Sequence, residues 1–181
     1  MKKTIIILCV CLVALAGLSA DGFSDRLGFL VRATPYALQS VSTTKGSFLS
    51  RYGFGFGAGL RYDLTKNIVT GIDLDGAFYN YNELQNQYMV FGVRSIIGYR
   101  HEFNEKFYAE GEIGLGASMK MIGGGRAFTF SSHAYAGSGY RFTPKISMTA
   151  GVDLGLAFQK RDPDRSTDFE VKIALGAKYE L

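Results

Sequence analysis

Tryptophan is absent from this 181-residue chain, cysteine occurs only at positions 9 and 11, and histidine only at 101 and 133. Both cysteines fall in the opening segment. There a cationic start, Met1-Lys2-Lys3-Thr4, precedes an apolar run from Ile5 to Leu18 and the small residues Ser19-Ala20. That layout predicts a cleavable secretory signal peptide over 1–20. The run is shorter than the ~20 apolar residues of a spanning helix, and nothing after it resembles a stop-transfer segment. Residues 21–181 then hold no cysteine, which excludes disulfides, thiolate metal sites and cysteine nucleophiles. No histidine or carboxylate grouping has metal-ligand spacing. Gly123-Gly124-Gly125-Arg126 is no phosphate cradle, because no helix follows it, so no cofactor is expected. The formal charge is +4, or +2 without Lys2 and Lys3. That bias is too weak, and too free of basic runs, to point to nucleic acid. Beyond the leader no segment is apolar throughout, so any membrane span must be built from strands.

What the chain does hold is alternation. Tyr52-Gly53-Phe54-Gly55-Phe56-Gly57-Ala58-Gly59-Leu60-Arg61-Tyr62 places large apolar residues on one parity and glycine, then arginine, on the other. A hairpin sentence recurs from Gly59, Gly98 and Gly139: a strand ending in arginine, a polar turn, then a strand rising through glycine to an acid. The turns are Thr65-Lys66-Asn67, Asn104-Glu105-Lys106 and Thr143-Pro144-Lys145, all residue types that favour reversal. Six strands follow, near 51–64, 68–80, 88–103, 107–121, 127–142 and 145–160, flanked by strands at 26–39 and 168–181. Longer polar connections are expected at 40–50, 80–87, 122–126 and 161–167. The expected fold is all-β: a transmembrane eight-stranded antiparallel up-and-down barrel forming one domain over 21–181.

Parity decides which face meets lipid. In the last strand Phe169, Val171, Ile173, Leu175, Ala177 and Tyr179 oppose Glu170, Lys172, Ala174, Gly176 and Lys178. An eight-stranded barrel has an interior that side chains just fill. Glycines on the inner face make room there for Arg61, Arg100, Arg141, Tyr79 and Tyr135, whereas on a wet exterior they would confer nothing. Aromatic residues of the outward parity cluster near both strand ends around an aliphatic band, the pattern of an outer-membrane barrel. The missing tryptophan is a departure from it. On these residues the chain resembles the small eight-stranded bacterial outer-membrane proteins of the OmpX, OmpW and OmpA-barrel type. The resemblance implies a monomer in the bacterial outer membrane, surrounded by its lipid. It also implies that the barrel-assembly machinery reads Gly176, Tyr179 and Leu181 as the assembly signal, although such signals usually end in phenylalanine.

Arg61 and Asp73, Arg100 and Glu112, and Arg141 and Asp153 are each twelve residues apart across a turn, all on the inward parity. Cross-strand neighbours interact directly or diagonally, so each pair is expected to meet. Asp75, Arg94, Glu110 and Lys172 join them in a lumen network. It reads either as a narrow polar conduit, which an OmpW likeness would imply for small solutes, or as a salt-bridge plug replacing a core. The packing rule favours the plug. The resemblance implies a structural or surface-interaction role, with an extracellular ligand or host factor engaged through the loops. No enzyme is expected. Lipid A deacylase barrels carry a His-x-Ser pair, but Tyr135 stands two places after His133, and Ser131 and Ser132 precede it.

Overall fold

Alternation of side-chain size is carried through by eight strands that close on themselves in chain order. A computed structural model describes residues 26–43, 48–80, 87–122, 125–161 and 164–181. The signal-peptide segment 1–20, with Cys9 and Cys11, lies outside these residues. The strands are β1 (Leu27–Thr43), β2 (Phe48–Asp63), β3 (Ile68–Asn80), β4 (Gln87–Glu102), β5 (Phe107–Ile122), β6 (Gly125–Arg141), β7 (Ile146–Arg161) and β8 (Asp164–Glu180). Each pairs antiparallel with the next, and β8 closes onto β1. At 13 to 17 residues they exceed the ~9–11 needed to cross a bilayer. At the end opposite the turns the strands run further than expected, to Thr43, Phe48, Gln87, Ile122, Gly125, Arg161 and Asp164; 44–47, 81–86, 123–124 and 162–163 lie outside the described residues. Polar residues continue the β7–β8 ladder at this end, Lys160 opposite Arg165 and Arg161 opposite Asp164. Beyond hydrocarbon a strand has no need of apolar alternation, so residue pattern carries no sign of this extension.

The barrel is inverted relative to a water-soluble one. Leu74, Ile113, Leu115, Leu154 and Ile173 are exposed, while Arg61, Asp73, Arg94 and Asp153 are each under 5% exposed. Aromatic rings flank the aliphatic band. Phe54, Phe78 and Phe91 form a contact chain at the loop end, and Phe107, Tyr140 and Phe142 form another at the turn end. Tyr62, expected in the turn-end girdle, is buried instead.

Glycines make way for large inner side chains. A Cβ at Gly57 would lie 2.8 Å from the Asp75 carboxylate, one at Gly59 would overlap Asp73, and one at Gly53 would overlap the Phe78 carbonyl and lie 2.7 Å from the Tyr79 ring. At Gly55 the backbone alone is the cause: a Cβ would meet the Gly76 carbonyl at 2.6 Å. Gly139 lies beneath the Tyr108 ring, so closely that an added Cβ would overlap it. Gly139→Ala should therefore cost about 1–3 kcal/mol by overpacking. Gly111→Ala, whose Cβ would meet nothing nearer than 3.8 Å, should stay within about 0.5 kcal/mol of the unsubstituted barrel. Urea unfolding in lipid vesicles measures both.

One irregularity alters parity. Toward β2, Thr34 pairs with Gly55 and Ala37 with Gly53; toward β8, Ala33 pairs with Leu175 and Tyr36 with Ile173. One extra β1 residue is thus inserted around Pro35. Proline has no amide hydrogen to give a ladder, and a bulge is where a strand tolerates it. Leu30 and Arg32 face the axis before the bulge, and Ala37 and Gln39 face it afterwards.

Candidate functional site

Charged and polar side chains fill the barrel axis in three layers. The middle layer is a belt of arginines and acids from β1 to β7. Asp73 accepts from Arg61 through both carboxylate oxygens, from Arg94 Nε at 3.2 Å and from Arg32 Nη1 at 3.4 Å. Glu112 accepts from Arg32 Nη2 at 2.8 Å and Arg61 Nε at 3.0 Å. Arg94 reaches on to Asp153 at 2.7 Å and Asp75 at 3.2 Å. The Arg32 guanidinium lies 4.4 Å from the centre of the Tyr135 ring. Planar guanidinium forks suit such sharing, because one arginine can donate to two carboxylates in fixed directions.

The turn-end layer centres on Arg100. It lies 3.3 Å from Asp63, 3.7 Å from Glu180 and 4.0 Å from Glu110. Its guanidinium stands 5.2 Å from the Tyr108 ring centre, and the Tyr108 hydroxyl bonds Ser147 at 3.1 Å. The loop-end layer seals the other side. Gln39 donates to Asp168 at 3.2 Å and Glu170 at 3.0 Å, and Tyr79 donates to Glu170 at 3.1 Å. Lys172 pairs with Glu170 at 2.7 Å and Lys120 with Asp168. Gln39, Tyr79 and Asp168 are at most 1% exposed.

Small cavities lie between these layers among the described residues. One of about 30 Å³ is lined by Asp75, Arg94, Lys120, His133, Glu170 and Lys172, among others. Another of about 10 Å³ borders Arg32, Asp75, Arg94, Asp153 and Lys172. They have room for roughly two waters and one water, respectively.

Two of the expected pairings are corrected. Arg61 meets Asp73, but Glu112 binds Arg61 and Arg32, while Arg100 turns to Asp63, Glu180 and its direct cross-strand neighbour Glu110. Arg141 does not reach Asp153. It bonds Glu102 at 2.6 Å at the turn-end rim, and Asp153 belongs to Arg94. Asp75, Arg94, Glu110 and Lys172 all face the lumen network. Sequence reasoning missed Arg32, Gln39, Lys120 and Asp168, and set Glu170 and Lys178 on the inward face without joining them to the network. Parity alone marks Glu170 and Lys178 as inward, whereas Arg32 and Gln39 needed the bulge.

His133 is an interior residue with its Nδ1 3.5 Å from Asp153, and His101 is exposed with its ring edge-on to Phe103. Among the described residues no group of three histidine, cysteine or acidic side chains is placed to hold a metal ion. At the C-terminal end Gly176 is buried against Leu30 and Thr149, while Tyr179 and Leu181 are exposed.

An apolar exterior banded by aromatic rings around an ionic, side-chain-filled axis defines a membrane-spanning β-barrel of the outer-membrane type. No protein family and no curated protein matches the sequence. Among solved structures, Neisserial surface protein A aligns with a TM-score of 0.68 at 14% identity, over 86% of this chain and 97% of that one. Ail, the attachment invasion locus protein of Yersinia pestis, gives 0.47 at 17% identity over 86% and 98%. The outer membrane enzyme PagL gives 0.48 at 13% identity over 81% and 99%. The first of these shows a shared fold: the small eight-stranded outer-membrane barrel.

Proposed function

We infer that this chain is an integral protein of the bacterial outer membrane whose barrel is a rigid, non-conducting scaffold with a structural or surface-interaction role. One observation carries the reading: the axis is crossed by three layers of ion pairs, with cavities of only about 30 Å³ and 10 Å³ described between them. Ions held in so narrow a space stay paired, because an uncompensated buried charge costs several kcal/mol. The shared fold with a Neisserial surface protein is in keeping with exposure at the cell surface, where the loop-end connections would meet an extracellular ligand or host factor. Gly176, Tyr179 and Leu181 supply the strand end offered to the barrel-assembly machinery. The reading is non-catalytic. His133 faces the axis beside Asp153 inside the wall, out of reach of a lipid outside it.

Planar-bilayer recording of the purified chain tests the scaffold. The expected result is a membrane that stays silent after insertion. Reproducible single-channel steps would replace this reading with that of a narrow channel for small solutes.

A further inference from the structure

The turn end of the barrel is built three times from one unit. Leu64-Thr65-Lys66-Asn67, Phe103-Asn104-Glu105-Lys106 and Phe142-Thr143-Pro144-Lys145 each open on an exposed apolar residue. Each caps its reversal with the second side chain. Thr65 accepts from the amides of Asn67 and Ile68, Asn104 from those of Lys106 and Phe107, and Thr143 from those of Lys145 and Ile146. The last carbonyl of each turn then accepts an amide from a neighbouring strand: Asn67 from Arg100, Lys106 from Arg141 and Lys145 from Glu180. The three turns are thereby stitched into one rim, and each carries a lysine one or two residues before the exposed Ile68, Phe107 or Ile146.

Charge is sorted across this rim. The half-buried acids are drawn onto cations of the barrel mouth: Asp63 to Arg100 at 3.3 Å, Glu180 to Lys178 at 2.8 Å, and Glu102 to Arg141 at 2.6 Å. Arg26, Lys66, Lys106 and Lys145 are exposed, against one exposed turn acid, Glu105. Lys66 has a loose contact with Glu102 at 3.9 Å, with 79% of its side chain still exposed. Lysine ammonium groups beside outward-facing Leu64, Phe103 and Phe142 match a bilayer boundary, where apolar side chains enter the acyl region and cations stay with phosphate.

We propose that the three turns form a binding surface for anionic phospholipid headgroups of the leaflet at the turn end. Each lysine neutralises a phosphodiester while the apolar residue of its turn inserts beside it. The proposal rests on the outer-membrane reading above, since it requires the rim to sit at a bilayer surface.

The test reconstitutes the full chain in phosphatidylcholine vesicles containing phosphatidylglycerol and counts retained lipid by native mass spectrometry. The unsubstituted chain should retain phosphatidylglycerol in preference to phosphatidylcholine. K66Q/K106Q/K145Q should lower that preference about tenfold or more. R126Q, at an exposed loop-end position, should leave it unchanged. Equal retention by the triple variant, or an equal loss in R126Q, overturns the proposal. Resistance of the unboiled chain to detergent unfolding reports whether each variant is folded. If the triple variant is not folded, the three single substitutions are read instead; each is expected to lower the preference, and no lowering in any of the three overturns the proposal. Failure of the unsubstituted chain to insert would instead refute the membrane reading itself.

Discussion

Asp73→Ala should destabilise the barrel by about 3–5 kcal/mol, the scale for breaking a buried ion pair by removing one partner. Asp73 is 3% exposed and is the shared acceptor of Arg61, Arg94 and Arg32, from three different strands. Its loss leaves three guanidinium groups crowded with less opposing charge, and Arg61 loses its two-oxygen partner. The companion variant Arg61→Met/Asp73→Leu should recover a large part of the loss, because apolar replacement of both partners avoids the uncompensated ion. Urea unfolding in vesicles measures both. A loss under about 1 kcal/mol for Asp73→Ala would mean that the arginines reach water, and so that the axis is open.

Leu154→Arg tests the opposite surface. Leu154 is 43% exposed near the middle of β7, between the two aromatic zones. In water, replacing an exposed leucine changes stability within about 0.5 kcal/mol. Facing hydrocarbon at mid-depth, arginine costs about 2–4 kcal/mol. The same vesicle unfolding measurement separates the two values. A change near zero would place this face in water and reverse the assignment of inside and outside.

The two sides of the barrel were legible because side-chain period and strand geometry share the number two. β7 and β8 needed nothing beyond parity: Asp153, Glu170 and Lys178 are buried, and Val152, Leu154, Ile173 and Leu175 are exposed. Partner choice within the axis was harder to read. A spacing of twelve residues brings two side chains together only when the turn lies midway between them. The β2–β3 register sets Gly59 opposite Asp73, which places Arg61 two residues off the direct rung and within diagonal reach. The β6–β7 register sets Arg141 opposite Ser147. Asp153 is six residues further on, roughly 20 Å along the strand at the rise of an extended chain. For Arg100 the register offered Glu110 directly, and Glu112 went to the arginines of the belt. Which of several nearby acids a guanidinium takes depends on side chains from strands far apart in sequence, Arg32 above all, and hairpin spacing carries no trace of them.

The bulge at Pro35 gives β1 two reading frames. Upstream the even-numbered positions, Leu30 and Arg32, point to the axis; downstream the odd-numbered ones, Ala37 and Gln39, do so. Pairing the same residues in unbroken alternation, with no bulge, would merge the frames and transfer Gln39, together with its bonds to Asp168 and Glu170, from the loop-end seal to the oily exterior. The first strand is thus spliced from two half-strands of opposite phase, and a single backbone irregularity sets the boundary between them.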